Sequence, residues 1–405
     1  MAISNQTNVA YIYKVRYSDR KVGDVSARAH PVMGMMAKEG GMNGLTAKYT
    51  YAVRYGNPQG ISGSLANAQT AVNTSKGVQF EATRRDCYGV IKLDGPSLCS
   101  ARGKSGAFLD LVTQETDGIL DERKDALAHQ LFGDGHGHLG RRSSASTNVI
   151  TLTTTGTARN FKLGMTVVAD DTETGASLRS GNTTVAGVDE DSNTVTLTSA
   201  AGITTFSDDD WMFRLGDPET IVDGLQSHLP LTAPSSGESW RGEDRSVHTR
   251  LLAGSRVDDT STSIVENAGL VAVKIKETSA IAGAKDKILV LSPVNFWAVS
   301  RELNAKITYT GGGANAKAMF EGFDIASPGG VLRAVSDPHC ASNRGYVMAM
   351  SCWYWKHLEP WIHVIRDDNN APAMRVSDAD QIEIRVRAMG NIVCTMPAAN
   401  GVFSI

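Results

Sequence analysis

Ser105 to Phe132 constrains this chain more than any other stretch. It reads as one long helix between two segments that cannot be helical. Phe108, Leu111, Val112, Ile119, Leu120, Leu127 and Leu131 recur at helix-face spacing, with charged residues between them. The stripe has gaps at Glu115, Thr116 and Arg123, which predicts a helix only half covered by a core. Gly133, Gly135 and Gly137 then stop it. At the usual rise per residue it would be about 40 Å long, the width of a small domain. A half-covered helix of that length, flanked by extended segments, points to a protein that completes its core with copies of itself.

The flanks differ from each other. Met1 to Met42 leans basic and has too little apolar surface to fold alone. It reads as an arm whose Arg16, Arg20 and Lys21 would clasp an acidic surface on a neighbouring subunit. From Lys48, Tyr49, Tyr51, Val53 and Tyr55 alternate with polar or small residues, a half-buried strand. A Gly/Ser/Asn-rich connection leads to a second β-prone run, Val78 to Leu93. Such a hairpin is marginal by itself in water. Its tyrosine face has no evident apolar partner in the connection, so Tyr49, Tyr51 and Tyr55 are expected on an adjacent subunit.

Behind the helix, Thr147 to Gly216 carries short Thr/Val strands at regular spacing, the mark of a small all-β module. Its acids outnumber its bases and read as solvated turns. The remainder is α+β. Ile264, Ala268, Val271 and Ile275 fit one helix face, and Lys287 to Leu291 reads as a buried strand. Pro293 is placed to open a helix carrying Phe296, Trp297, Val299 and Leu303. Tyr346 to Tyr354 and Pro360 to Ile365 read as strands, and Ile382, Ile384 and Val386 alternate with charged residues in a final one.

Composition narrows the function. A formal charge of −3 over 405 residues argues against a dedicated nucleic-acid binder. Five cysteines without close pairs fit a reduced compartment. No signal core and no span of bilayer length occurs, so no membrane partner is expected.

Sites for chemistry are weak. Arg102-Gly-Lys-Ser105 lacks the first glycine of a phosphate loop, where Leu98 stands. Asp170-Asp-Thr-Glu-Thr-Gly175 resembles half a calcium loop, but Gly181 occupies the closing acid position. His136 and His138 could offer two imidazoles, with no complete ligand set in the sequence. Asp337, His339 and Cys340 could form a base and nucleophile, although such residues before a strand are more often structural. Trp353, Tyr354, Trp355 and Trp361 read as a core or contact patch. No enzyme, cofactor or metal site is expected.

The order of these parts resembles the major capsid proteins of tailed bacteriophages, built on the Johnson fold. The phrases that carry it are Gly164-Met-Thr-Val167, Asn193 to Leu197, Asp210 to Asp217, Trp240-Arg-Gly-Glu-Asp-Arg245, Leu252-Ala-Gly254, Leu291-Ser-Pro293 with Trp297, and Arg387 to Cys394. The resemblance covers nearly the whole chain and implies an α+β subunit. Its parts would be an N-arm (1–42), an E-loop hairpin (43–102), a spine helix of the P-domain (103–146), a β insertion (147–216), more P-domain (217–286), an A-domain (287–378) and a C-terminal return strand (379–405).

The resemblance further implies hexamers and pentamers closing into an icosahedral shell around double-stranded DNA, a virion protein assembled in the host bacterial cytoplasm. Expected partners are other copies of itself, a portal, separate scaffolding or decoration proteins, and weak non-specific contact with the DNA. Some members of that family cross-link a lysine to an asparagine; Lys48, Lys92 and Asn391 are conceivable, but non-covalent assembly is expected. A bacterial nanocompartment shell shares the fold and is the alternative. A hydrolase using His339 and Cys340 is the remote one.

Overall fold

The long helix forms over Leu111–Phe132, an axis of about 33 Å. The computed structural model describes residues 30–96, 111–278, 287–304, 324–327, 330–359, 362–366, 373–376 and 379–405. Arg16, Arg20, Lys21, Trp361 and the Arg102–Ser105 motif therefore lie outside the described residues. Along the helix the coverage is uneven rather than one-sided. Its last two turns are enclosed, with Ala126, Leu127, Leu131 and Phe132 buried alongside Asp125 and Gln130. Arg123, expected as a gap in the apolar stripe, is buried too, and burial lowers its pKa to about 10. The earlier turns lie against strand Arg85–Asp94, where a Cβ on Gly89 would come within 3.0 Å of Ile119 Cγ1.

Two six-stranded sheets flank this helix. In the first, Gln381–Cys394 is the organising strand. One edge pairs antiparallel with Arg85–Asp94; the other takes Trp353–His357, His363–Val364 and Ala373–Arg375 in turn. Ala37–Gly40 adds in parallel beside Trp353–His357. The arm thus ends sooner than composition indicates. Val32, Met33 and Met36 are buried in the central core, because residues 30–42 have a sheet edge to join.

The second sheet runs Ser255–Val257, Gly401–Ser404, Arg344–Ala349, Lys287–Leu291, Gly330–Ser336, Asp324–Ser327. Lys287–Leu291 is covered on both faces. Ile288 and Val290 join the core with the long helix, while Leu289 and Leu291 pack with helices Ile264–Thr278 and Pro293–Asn304. A strand buried on both faces reads as an unbroken apolar run, as here. Tyr346 to Tyr354, expected as one strand, is two: a 3-10 turn at Met350–Cys352 carries the chain from one sheet to the other. The C-terminal segment likewise divides between both sheets. Boundaries drawn along the chain therefore cut across these sheets.

The Thr-rich segment closes into a six-stranded barrel. Its strands are His138–Ser146, Val149–Leu152, Thr166–Asp170, Thr183–Asp189, Thr194–Leu197 and Trp211–Arg214. It begins at His138, earlier than the composition shift at Thr147, because its first strand is rich in Ser and Arg rather than Thr and Val. Ile150, Val167, Val195 and Met212 fill its interior.

Its acids are not simply a solvated face. Asp170 is buried and accepts hydrogen bonds from Thr172 N, Thr172 Oγ1 and Ser177 N, so it caps a loop. Asp189 caps its own turn through Asp191 N and Ser192 N. Asp210, also buried, accepts from Arg179 Nε and Nη2 at 2.6 Å each and from Ser207 N at 2.8 Å. Arg179→Ala should strand the Asp210 charge and lower the denaturant midpoint of dissociated subunits. An unchanged midpoint would place the pair with ordinary exposed ones.

Candidate assembly surface

Strands Lys48–Gly56 and Lys76–Thr83 pair antiparallel into the expected hairpin, with Tyr51 directly opposite Phe80 and Val53 opposite Val78. Aromatic and β-branched pairs of this kind stabilise a two-stranded ribbon. Tyr51 is 7% exposed, buried with Phe80, Ala82, Leu252 and Val393, and Tyr49 and Tyr55 pack against the same cluster. The tyrosine face expected on a neighbour therefore lies on its own chain. The reason is tertiary: Leu252, Val393 and Trp240 come from segments the hairpin sequence cannot reveal.

A buried ionic network holds this base. Arg241 donates to Asp223 Oδ2 through Nη2 at 2.8 Å, to Ile392 O at 2.8 Å and, through Nη1, to the Tyr51 hydroxyl at 3.1 Å. The guanidinium of Arg241 lies 4.7 Å from the Trp240 ring centre. Burial pushes the Asp223 carboxyl up, but the Arg241 guanidinium more than offsets it, and the net direction is down. Asn391 completes the network. Its amide donates to Thr83 O and Asp223 Oδ2, and its oxygen accepts from Asp223 N and Ile392 N. Fully buried and engaged in this way, Asn391 is not presented for a cross-link. Lys48 pairs with Glu81, and Lys92 with Glu383.

Beyond the base the hairpin changes character. Between Arg54 and Lys76 there is no Asp, Glu, Lys or Arg. The tip folds back on itself through a bridge between Gln59 and Asn73 and a short helix, Leu65–Thr70, capped by Ser64. That helix buries none of its residues. The large apolar residues of the tip are Ile61, Leu65 and Val72, with exposures of 87%, 76% and 72%.

 An uncharged tip that exposes Ile61, Leu65 and Val72 thus stands on an anchored base. The missing charges were legible in the sequence; the exposure of Ile61, Leu65 and Val72 was not.

The other expected sites divide in the structure. Cys340 is buried, its thiol donates to Arg344 O at 3.6 Å, and burial pushes its pKa far up. His339 turns away from it, placing Nε2 3.1 Å from Asp125 Oδ1. The base-and-nucleophile arrangement is therefore not formed. Trp353 and Trp355 belong to the central core. His136 and His138 do not converge on each other; His138 faces Asp134 and Glu173 instead.

No protein-family signature and no curated protein matches the sequence. Solved structures do match. The cyanophage A-1(L) capsid asymmetric unit aligns with a TM-score of 0.58 at 10% identity, over 96% of this chain and 96% of that one. The capsid of a native GTA particle aligns at 0.51 with 11% identity, over 100% and 99% of the two chains. The empty GTA particle gives 0.52 at 11% identity with the same coverage. The fold is that of a tailed-phage capsid subunit. The hairpin and Leu111–Phe132 follow one another along the chain in the order that the sequence resemblance gives to an E-loop and a spine helix.

Two outcomes follow from the base of the hairpin. Tyr51→Ala should lower the melting of isolated subunits, by about 3 kcal/mol as for other buried aromatic truncations. Thermal scans of dissociated protein check this, and an unchanged melt would return Tyr51 to an intersubunit role. The second outcome concerns His228, which is buried between Trp240 and Trp353 with Nδ1 donating to Gly224 O at 2.9 Å. Burial, with Arg241 nearby, lowers its pKa from 6.5 to about 3. Between those values the unfolded chain holds more protons, so stability is fully present above pH 6.5 and falls as pH drops towards 3. His228→Asn keeps the donor to Gly224 without titrating, and its unfolding free energy should vary less with pH across that window.

Proposed function

We propose that this chain is a major capsid protein, a structural subunit that assembles as hexamers and pentamers into an icosahedral shell enclosing double-stranded DNA. The capsid fold, spanning almost the full length of both chains compared, supports this reading. The observation that carries it is the E-loop tip. Ile61, Leu65 and Val72 are exposed in the single chain, and a second copy of this chain is the occupant that fits. With no charge on the tip, that contact is governed by apolar burial and is weakly dependent on salt. Each such contact is modest, but closed symmetry repeats it around every ring and across the shell.

The same reading gives the remaining parts their roles. Arg16, Arg20 and Lys21 of the arm contact a neighbouring subunit. The barrel sits on the outer face or near a symmetry axis, where its acids are away from packaged DNA. The exposed side of the spine helix faces the interior. The mildly acidic subunit touches DNA weakly and without sequence preference. A portal and separate scaffolding or decoration proteins are the other partners, and assembly occurs in the host bacterial cytoplasm before the protein resides in the virion.

Substituting Ile61 and Leu65 together by Asp tests the reading. The variant should melt like wild type as a dissociated subunit, because neither side chain contributes to the core. Electron microscopy should show closed shells for the wild type and only rings or free subunits for the variant. Normal shells from the variant would contradict an intersubunit tip. Small uniform cages from the wild type would favour a nanocompartment, and discrete non-closing oligomers would contradict a shell protein altogether.

A further inference from the structure

Where the spine helix hands over to the barrel, two carboxylates converge on one imidazole nitrogen. His138 Nε2 lies 3.2 Å from Asp134 Oδ2 and 3.5 Å from Glu173 Oε1. The donor atoms of all three residues fall within 4.8 Å of one another. A neutral imidazole can offer only one proton at Nε2, so it cannot satisfy both carboxylates with a well-formed hydrogen bond to each. A metal ion can satisfy all three. With bonds of about 2.0–2.2 Å, tetrahedral ligand atoms sit about 3.4 Å apart, close to the 3.2 and 3.5 Å that separate His138 Nε2 from the two carboxylates.

Each ligand is held by its own local structure. Asp134 uses its other oxygen, Oδ1, to accept from His136 N at 2.9 Å, which orients the carboxylate. The turn that returns the chain to His138 needs Gly135 and Gly137 at φ +102° and +93°. A Cβ on Gly137 would also approach Asp217 O to 3.1 Å. The His138 ring packs 4.7 Å from Trp211, centre to centre. Glu173 stands on the loop that Asp170 caps through Thr172 and Ser177. That loop is pinned at Gly175, where a Cβ would meet Pro218 at 2.9 Å. Metal sites depend on such supporting contacts to orient their ligands.

We propose that Asp134, His138 and Glu173 bind a divalent first-row transition ion, of which Zn²⁺ is the best fit. One imidazole nitrogen with two carboxylate oxygens suits Zn²⁺ better than Mg²⁺ or Ca²⁺, which prefer all-oxygen shells. His138 and Glu173 border a recess of about 170 Å³, from which water can complete the coordination. Asp134 follows the spine helix, His138 opens the barrel and Glu173 lies on a barrel loop. The ion would tie that loop to the turn leaving the helix and fix the barrel on its base.

The test uses the purified full-length chain as dissociated subunits in chelator-treated buffer. Calorimetric titration should show one Zn²⁺ site, and Zn²⁺ but not Mg²⁺ should raise the melting temperature, since an ion that binds only the folded chain stabilises it. Glu173→Gln, an exposed change that leaves the core intact, should weaken Zn²⁺ binding at least about tenfold, and His138→Ala should abolish that site. Co²⁺ in place of Zn²⁺ should give the visible absorption of a four-coordinate ion, lost in Glu173→Gln. Absence of Zn²⁺ binding by the wild type overturns the proposal. So does an affinity in Glu173→Gln within about twofold of wild type, whatever the folding of His138→Ala.

Discussion

The buried Arg241–Asp223 pair is the constraint on which the arrangement of this subunit turns. A guanidinium taken out of water is strongly unfavourable unless every donor is engaged and the charge is opposed. Arg241 meets that demand with groups from three separate parts of the chain: Asp223, the Ile392 carbonyl of strand Gln381–Cys394, and the Tyr51 hydroxyl of the hairpin. Asn391 locks the same carboxylate to Thr83, where the hairpin turns into strand Arg85–Asp94. Displacing any one segment leaves a buried charge or polar group without its partner. The network therefore selects one orientation of the hairpin base over alternatives that apolar contact alone would tolerate.

That anchoring matters for the hairpin. A two-stranded ribbon has no core of its own, yet this one is clamped at its base by Tyr51, Phe80 and Leu252. The free end carries no charge and exposes Ile61, Leu65 and Val72. Holding the base stiff reduces the ordering cost when the tip meets another surface, which is how preorganisation raises affinity without new contacts. The two ends differ physically: aromatic burial near the base contributes to subunit stability, whereas Ile61, Leu65 and Val72 at the tip add nothing to the core.

The barrel follows a different logic. Its strands are too short to form an extended core, so closure removes every sheet edge and encloses a small apolar interior. Acids that would otherwise repel one another are used as caps and arginine partners. Asp170 and Asp210 do this while buried, and Asp208 pairs with Arg142. The Asp134, His138 and Glu173 group lies at its base, where the chain leaves the long helix.

Local periodicity and punctuation made much of this subunit legible in the sequence. The long helix, the Ile264–Thr278 face, the proline that opens Pro293–Asn304 and the alternating strand near Ile384 all depend on neighbours within a few residues. The order of those parts carried the resemblance to capsid proteins that the fold then showed. What lay beyond reach was every decision made by distant segments. Arg123 is buried because the chain returns to cover it, and Tyr51 is inward because Leu252 and Val393 arrive from elsewhere. Met33 and Met36 join the core because strand Trp353–His357 offers an edge to the residues that follow. Side-chain pattern records the period of an element and the face it must bury. Which surface covers that face is decided only when segments hundreds of residues apart compete to exclude water from it, and that competition belongs to the tertiary structure.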